Sequence, residues 1–316
     1  MKLKDAFDQL NVSKQCRQYN LSAWQCPNFL TIIMGIVTMI AMIGTYMIAN
    51  RYSSEPEMAA LTVIIVTIIV FIIGYFIVNS FSYLAEANRL KSEFVGIASH
   101  QLRTPLAALK WAMNILMDDP SLDRGKQKEY LEIIKTSNER MIKLVNDLLD
   151  VSRIDQGRID LKPEKFSLVE LTQEIIDEVR PLAQKNNISL TLEAQGSLEE
   201  AWADPSRIHL ILQNLLENAI KYTETGGTVK AILKNQGGYL RAEIVDSGVG
   251  IPVAEQSRVF QKFFRSDNAK KNQVEGTGLG LFIVKAIAEM SKGKVGFESK
   301  EKQGSTFWFE IPKVKK

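Results

Sequence analysis

Two long apolar stretches near the start of the chain constrain its fold more than any other feature. Residues 29–49 and 59–78 contain no charged side chain, although charged residues make up 24% of the 316-residue sequence. Each stretch has about the 20 residues that a helix needs to cross roughly 30 Å of hydrocarbon. Buried helices of soluble proteins are seldom so long and so free of charge. The sequence therefore predicts two transmembrane helices, at residues 29–49 and 59–80.

The charges that flank these stretches predict their orientation. The connection at residues 50–58 is too short to fold as a domain, so both termini are expected on one side. Because Lys and Arg favour the cytoplasmic side, segment 1–28 and all residues after 80 are predicted to be cytoplasmic, and the protein to be a multi-pass protein of the cytoplasmic membrane with lipid as a partner. A cleaved signal peptide is the alternative for the first stretch, but no small-residue cleavage site follows it convincingly. The flanking basic residues are Lys2, Lys4, Lys14, Arg17, Arg89 and Lys91.

Charge and cysteine content narrow the function further. The formal net charge of +3 gives no argument for nucleic-acid binding, and none is expected. Cys16 and Cys26 have no companion histidines, and a cytosolic location argues against a structural disulfide. We expect reduced thiols there, with a redox switch as the alternative.

A coiled-coil repeat begins near residue 81. It is interrupted at residues 118–123 and then resumes, which predicts a helical hairpin. A lone hairpin cannot bury both of its apolar seams, so residues 81–158 are predicted to form a homodimeric four-helix bundle. With Val95 and Ala98 on the seam, His100 falls on the outer face, where a histidine kept for core packing would not lie. The seam positions are Phe81, Leu84, Asn88, Lys91, Val95, Ala98, Leu102, Pro105, Leu109, Ala112 and Leu116, followed by Leu131, Ile134, Asn138, Met141, Val145 and Leu148.

The remaining residues, 159–314, have a different pattern. Short runs typical of strands (ISLTLEA, TVKAILKN, YLRAEIVD and STFWFEI) alternate with helical patterns at about 168–184, 205–222 and 278–291. Strands with hairpin-like neighbours, mixed with helices, predict an α/β sandwich with a mixed sheet.

Three motifs in this second domain suit a nucleotide. QNLLENAIKYT places Asn214, Asn218 and Lys221 on one helical face, and their amides and ammonium suit Mg²⁺ and phosphate. DSGVGI supplies Asp246 beside glycines that let backbone approach a ligand. EGTGLGL is a glycine-rich turn opening a helix, whose free N–H groups suit phosphate. Each motif alone is weak evidence for a nucleotide site, and the last one fits neither the dinucleotide nor the P-loop pattern. Their joint occurrence in this order is far less expected by chance.

With the sequence around His100, these motifs resemble the membrane sensor histidine kinases of bacterial two-component systems. The resemblance covers roughly residues 90–314 and includes FVGIASHQLRTPL as the phosphoacceptor box, QNLLENAIKYT as the N box, DSGVGI and GTGLGL as glycine boxes and FQKFFR as the F box. It implies a dimeric helical-hairpin domain followed by a Bergerat-type ATP-binding domain. It also implies a kinase that autophosphorylates from ATP with Mg²⁺, passes the phosphoryl group to an aspartate of a response regulator, and in some cases removes it again.

The resemblance assigns roles to individual residues. His100 would attack the γ-phosphate of ATP, and Thr104 would position the water that dephosphorylates the regulator. Asn218 would bind Mg²⁺, and Asp246 would accept the adenine amino group. Residues 252–275 would form a mobile lid. The other residues implied at the ATP site are Asn214, Lys221, Tyr222, Gly248, Gly250, Phe264, Arg265, Gly276, Thr277, Gly278, Leu279 and Gly280.

Two positions of the phosphoacceptor box draw notice. The family usually has Glu or Asp directly after the histidine, but this chain has Gln101, which hydrogen-bonds yet accepts no proton. Pro105 has no N–H, so the carbonyl of Gln101 loses its helical partner, which predicts a deformable point one turn beyond His100. The short distance between the second apolar stretch and His100 places the stimulus in the membrane, on the N-terminal segment or on a partner membrane protein.

Two rival functions remain open. A hydrolysing ATPase of the same nucleotide fold would carry a water-activating glutamate four residues before the metal-binding asparagine, where this chain has Asn214. An ATP-binding pseudokinase that only scaffolds a membrane signalling partner is the second rival, and Gln101 is the feature that favours it.

Overall fold

A computed structural model of the chain describes residues 27–52, 55–119, 122–266 and 276–314. The predictions for Cys16, Cys26 and most of the N-terminal segment lie outside the described residues, as does the part of the proposed lid at 267–275. The described residues fall into two compact units, one ending at His100 and the other beginning at Gln101. Each unit is described by itself.

The first unit contains two long apolar helices. Helix α1 spans Pro27–Tyr52, and α2 starts at Pro56 and ends at Asp118, within the second unit. Both helices are long and apolar enough to cross a membrane by length and composition. Large apolar side chains such as Ile40 and Phe71 are exposed along them. The helices approach closely at Gly74, where an added Cβ would lie 2.8 Å from Cε of Met34. Small residues at such crossings are typical of helix pairs in lipid.

The second unit begins with a helical hairpin. Helix α2 ends at Asp118 and α3 spans Arg124–Asp155, so the predicted break is present. The Asp123 carboxylate caps α3 by accepting hydrogen bonds from the backbone N–H groups of Gly125 and Lys126. The two helices contact each other through Trp111 and Tyr130, whose rings meet edge to face at 5.6 Å.

The single chain buries only part of the predicted seam. On α2 the seam residues Ala98, Pro105 and Ala112 are buried, whereas Leu84 and Val95 are exposed. On α3 the predicted seam residues Leu131 and Val145 are exposed, and this seam was predicted to be covered by a second copy of the hairpin. The buried residues of α3 are Ser137, Leu144, Asp147 and Val151, and α3 also packs against the α/β domain, which the heptad pattern alone does not reveal.

The α/β domain contains seven strands among the described residues: β1 Glu164–Phe166, β2 Ser189–Gln195, β3 Ala201–Ala203, β4 Thr228–Gln236, β5 Tyr239–Asp246, β6 Lys294–Lys300 and β7 Gly304–Pro312. Five of them form one sheet in the order β2–β4–β5–β7–β6. The β2–β4 pair is parallel and the other pairs are antiparallel, so the sheet is mixed, as the sequence pattern predicted. A separate two-stranded sheet pairs β1 with β3.

Three helices pack against the large sheet and form the core with it. Along β5 every second residue is buried, which is the pattern of a sheet with one covered face. The core includes Leu212, Leu240 and Phe309, all fully buried. The helices are α4 Leu168–Lys185, α5 Pro205–Tyr222 and α7 Gly280–Met290, and a short helix, α6, spans Val253–Gln256.

Candidate functional site

Helix α5 aligns the polar residues of the N box. Asp204 caps the helix by accepting from the N–H groups of Ser206 and Arg207, and proline follows at the first helical position. Asn214, Asn218 and Lys221 follow at spacings of four and three, which places them on one face. All three line the same cavity between α5 and the glycine-rich turn before α7. The structure thus brings together the three residues that the sequence singled out.

A neighbouring pocket surrounds Asp246 at the end of β5 and shares Asn218, Tyr222, Phe264 and Arg265 with the first, so the two are described as halves of one cavity. Because the resemblance implies the adenine at Asp246 and the phosphates at the glycine-rich turn, we call the half around Asp246 the adenine half. The Asp246 side chain is 7% exposed. Its Oδ1 accepts hydrogen bonds from the backbone N–H groups of Gly248 (2.8 Å) and Ser305 (3.1 Å). Burial raises the pKa of Asp246 to about 6, and these two hydrogen bonds limit the rise. The remaining lining is largely apolar, with Val249, Ile251 and Phe307. A flat heterocycle with an amino donor fits such a surface.

Two glycines let the backbone close around the adenine half. A Cβ at Gly248 would collide with the backbone oxygen of Tyr222. Gly250 has a φ of +64°, and its Cβ would collide with the carbonyl oxygen of Lys300. Only glycine satisfies both the left-handed backbone and the close approach at this point.

The other half of the cavity, which we call the phosphate half, is bounded by the glycine-rich turn. Gly278 has a φ of +71°, and its Cβ would lie 2.8 Å from the backbone of Phe263. A Cβ at Gly280 would lie 2.5 Å from Oδ1 of Asn214, so the turn sits directly against the N-box helix. Gly276 and Thr277 also line this half. Leu279 is fully buried, so its side chain packs into the core of the domain and anchors the turn. Helix α7 begins at Gly280. The backbone N–H groups of its first turn have no acceptor within the helix, so they are suited to bind an anion at the glycine-rich turn.

Charged side chains from two domains meet beside the phosphate half, where Lys143 and Lys221 line it. The Oε2 atom of Glu217 contacts Nζ of Lys143 at 2.5 Å and Nζ of Lys221 at 3.3 Å. Burial raises the pKa of Glu217, but the two lysines outweigh it and hold the pKa below its ordinary value. Burial lowers the pKa of Lys221, and Glu217 offsets part of that shift. The sequence motifs did not single out Glu217 or Lys143. Glu217 lies beside Asn218 in the N box, and its pairing with Lys143, 74 positions earlier on the hairpin, is a tertiary contact that no local pattern contains.

The glycine-rich turn also contacts the hairpin directly. The Thr277 hydroxyl donates to Oδ2 of Asp147 at 2.8 Å, and the Gln101 side-chain amide donates to the Thr277 carbonyl at 3.3 Å. Asp147 is 6% exposed, and burial raises its pKa while the Thr277 hydroxyl partly offsets this. Gln101 therefore acts as a donor in this structure, which a carboxylate at the same position would not do.

The other predicted site residues fall into two groups. Tyr222, Phe264 and Arg265 line both halves of the cavity and connect them. His100 and Thr104 lie on α2 with exposed side chains, in agreement with the outward position that the heptad phase predicted for His100. His100 belongs to the first unit, and the cavity belongs to the second.

The donors present fit a nucleotide with Mg²⁺ better than a metal held by protein alone. Among the residues described, no three His, Cys, Asp or Glu side chains cluster as metal ligands. The half-buried amide of Asn218 lines both halves, beside Lys221 and the turn. Mg²⁺ retains water and prefers substrate phosphates with one or two protein oxygens, so one amide oxygen here suffices.

Two family models match the chain, and both agree with this geometry. The His Kinase A (phospho-acceptor) domain matches residues 90–157. The histidine kinase-, DNA gyrase B-, and HSP90-like ATPase matches residues 203–315. The first match covers the helical hairpin, and the second covers all lining residues of the cavity except Lys143, which lies in the first.

Individual relatives cover most of the same region. The circadian input-output histidine kinase CikA of Synechococcus elongatus is 36% identical over 246 residues, which are 75% of this chain and 32% of that protein. The chain thus spans about a third of the length of this curated relative. The solved histidine kinase ThkA in complex with response regulator protein TrrA has a TM-score of 0.56 at 26% identity, over 72% of this chain and 64% of that one. Full-length ShkA in complex with AMPPNP has a TM-score of 0.54 at 27% identity, over 71% and 46%. The chain belongs to the sensor histidine kinases.

Proposed function

We propose that the protein autophosphorylates His100 from ATP and passes the phosphoryl group to an aspartate of a response regulator. The observation that carries the proposal is the cavity, which joins the buried Asp246 carboxylate to Asn218, Lys221 and the glycine-rich turn. This set matches the parts of ATP in order, with an acceptor for the base at one end and cationic groups for the phosphates at the other.

In the proposed reaction the protein mainly positions groups and balances charge. Asp246 accepts the adenine amino group and fixes the base, while Lys221 and the N–H groups at the start of α7 hold phosphate oxygens. Mg²⁺, when bound at Asn218, neutralises phosphate charge. A ring nitrogen of His100 forms the new P–N bond as the bond between the γ-phosphorus and the bridging oxygen breaks, and ADP leaves with that electron pair. The proton of the attacking imidazole passes to water.

Two structural properties support transfer in place of hydrolysis. Asn214, which stands where a hydrolysing relative needs a glutamate, donates its Nδ2 to the carbonyl of Leu210 at 2.8 Å and turns Oδ1 toward Gly280. An amide engaged in this way does not activate water. The exposed His100 side chain supplies a better nucleophile.

We further propose a membrane-bound homodimer, multi-pass in the bacterial cytoplasmic membrane with its catalytic domains in the cytoplasm. Helix α1 and the first part of α2 supply the apolar length for the two spans. Leu131, Ile142, Val145 and Leu149 are exposed along α3, and a second hairpin packed on this stripe gives the four-helix bundle. The ThkA complex supports a response regulator as partner, and the ShkA complex supports ATP as donor.

Radiolabelled ATP and the full chain in detergent test the proposal. We expect the protein to take up label from the γ-phosphate in a bond that is stable to alkali and labile to acid. His100→Ala should lose all of this label, because it removes the imidazole that we propose as the acceptor. His209→Gln is the matched control, since His209 is the only other histidine and pairs with Glu178 on the surface. Label that persists in His100→Ala would contradict His100 as the phosphoacceptor. An unlabelled wild type would contradict the kinase and favour the scaffold.

A further inference from the structure

One face of the hairpin helix α3 is polar and is directed at the ATP-binding domain. Lys143, Asp147 and Asp150 follow each other at spacings of four and three, which places them in line on one side of the helix. Lys143 contacts Glu217, Asp147 accepts from Thr277, and Asp150 contacts Arg207 at 3.5 Å. The contacts of Asp147 and Asp150 thus fix the face of α3 that carries Lys143 against the ATP-binding domain.

Lys143 differs from the other two because it also lines the nucleotide cavity. It borders the phosphate half together with Asn218, Lys221 and the glycine-rich turn, and it is absent from the lining of the adenine half around Asp246. In a nucleoside triphosphate the terminal phosphate is the group farthest from the base. A lysine that enters the cavity from the hairpin, at the end away from Asp246, therefore lies on the side where the terminal phosphate is expected.

The arrangement of charges leaves two ammonium groups facing the cavity. Lys143 and Lys221 line the phosphate half and contact the same oxygen of Glu217, which is not part of the lining. Asp147 is a second carboxylate within electrostatic range of both lysines, but it accepts from Thr277 and is not part of the lining either. The Lys143 side chain is 43% exposed, whereas Glu217 is 17% exposed, so the lysine remains accessible while its partner is largely covered. A phosphate oxygen is the anion that complements an accessible ammonium at this position.

We propose that Lys143 binds the terminal phosphate of ATP, so that the helical hairpin contributes a residue to the nucleotide site. The inference rests on the proposed function, in which ATP is the phosphoryl donor, and deepens it. Its consequence is that docking of the ATP-binding domain on α3 and recognition of the third phosphate are one event. ATP then binds the docked arrangement more tightly than ADP does, and loss of the terminal phosphate weakens docking.

Equilibrium binding of AMPPNP and ADP to the full chain in detergent tests this inference. Lys143→Gln should weaken AMPPNP binding about tenfold, as expected for one lost charge-assisted contact, and ADP binding less than about twofold. Lys143→Arg should restore the preference for AMPPNP. Arg207→Gln is the matched control, because it removes an ion pair between the same two domains outside the cavity. It should leave the ratio of the two affinities unchanged.

A second variant separates phosphate binding from simple docking. Glu217→Gln breaks the same ion pair but leaves the Lys143 charge in the cavity, so the preference for AMPPNP should be retained or increased. If Lys143 served docking alone, Lys143→Gln and Glu217→Gln would change both affinities alike, and that result would overturn the inference. Equal weakening of AMPPNP and ADP in Lys143→Gln, or no weakening, would overturn it too.

The outcome is distinguishable from failure of the kinase proposal. If the wild type is labelled on His100 but the affinity ratio does not respond to Lys143→Gln, only the role of Lys143 is wrong. If the ratio responds and His100 takes up no label, the phosphate contact stands and autophosphorylation is wrong. A wild type that binds no AMPPNP would overturn the phosphate contact directly.

Discussion

The two halves of the nucleotide cavity are built in different ways. The adenine half is formed within one domain, around a carboxylate that is 7% exposed and is held by two backbone N–H groups. The phosphate half is charged and composite, since Lys143 lines it from the hairpin whereas Lys221 and Thr277 line it from the ATP-binding domain. Glu217 and Asp147 contact these residues from outside the lining.

This difference has a functional meaning. A base pocket that depends on backbone groups of one domain is present whether or not the domains are docked. A phosphate pocket that needs side chains from two domains is complete only when they are docked. Under the proposed function, recognition of the base then depends on one domain, whereas the terminal phosphate is held for transfer only when both domains are docked.

The largest effect is expected where the adenine half is broken. Because Oδ1 of Asp246 accepts both backbone hydrogen bonds, Asp246→Asn would keep its oxygen there and place an NH₂ donor at the position of Oδ2. That donor would oppose the adenine amino group, so affinity for ADP and AMPPNP should fall about a hundredfold alike, measured by calorimetry. Since the variant removes a buried charge, the free energy of unfolding should not fall. A loss confined to AMPPNP would contradict the division into two halves.

The second-largest effect is expected in the pH dependence of protein stability, through the Asp246 carboxylate of the adenine half. The pKa of Asp246 is raised to about 6 from an ordinary value of 3.8, so between these values the folded protein binds more protons than the unfolded chain. The free energy of unfolding without nucleotide should therefore decrease as pH rises from about 4 to about 6, and this contribution should be constant above that.

Nucleotide binding should show the opposite trend, because adenine needs the ionised carboxylate. ADP affinity should fall roughly tenfold per pH unit below about pH 6. Asp246→Asn should lack this dependence and retain only the titration of the ADP phosphates. A wild-type profile identical in shape to that of the variant would show that Asp246 does not face the base.

The smallest effect is expected at the edge of the phosphate half. Gln101→Leu removes the amide donor to the Thr277 carbonyl, and we expect a loss of about 0.5–1 kcal/mol in the free energy of unfolding. Gln101→Glu loses the same donor but adds a proton acceptor beside His100, so its single-turnover autophosphorylation rate should exceed that of Gln101→Leu. Equal rates in the two variants would argue against any role for a carboxylate at this position.

Much of the fold was predictable because its signals are local. The charge-free stretches, the heptad repeat with its break near Asp118 and the alternation along β5 each follow from neighbouring residues. Strands β1 and β3 were missed because they have three residues each, too few for a pattern. Strand β6 was missed because KVGFESK alternates weakly, and its Gly296 serves to admit the ring of Trp308.

The burial of α3 was not predictable for a different reason. A heptad pattern records which residues are apolar, but polar residues are also buried when another domain supplies their partners. Asp147 is buried because Thr277, 130 positions later in the chain, donates to it. No local pattern contains that information.

The sequence by itself determined the elements, the motifs and the chemistry that each motif can perform, because helix and strand periodicity and residue type are short-range properties. The resemblance predicted that Asn218, Lys221, Asp246 and the glycine-rich turn lie around one cavity. The structure places them there. Only the tertiary structure decided that Gln101 is a donor to that turn and that Lys143 enters the phosphate half. Both contacts form only when the hairpin and the ATP-binding domain are docked, and docking depends on interactions between residues that are distant in the chain.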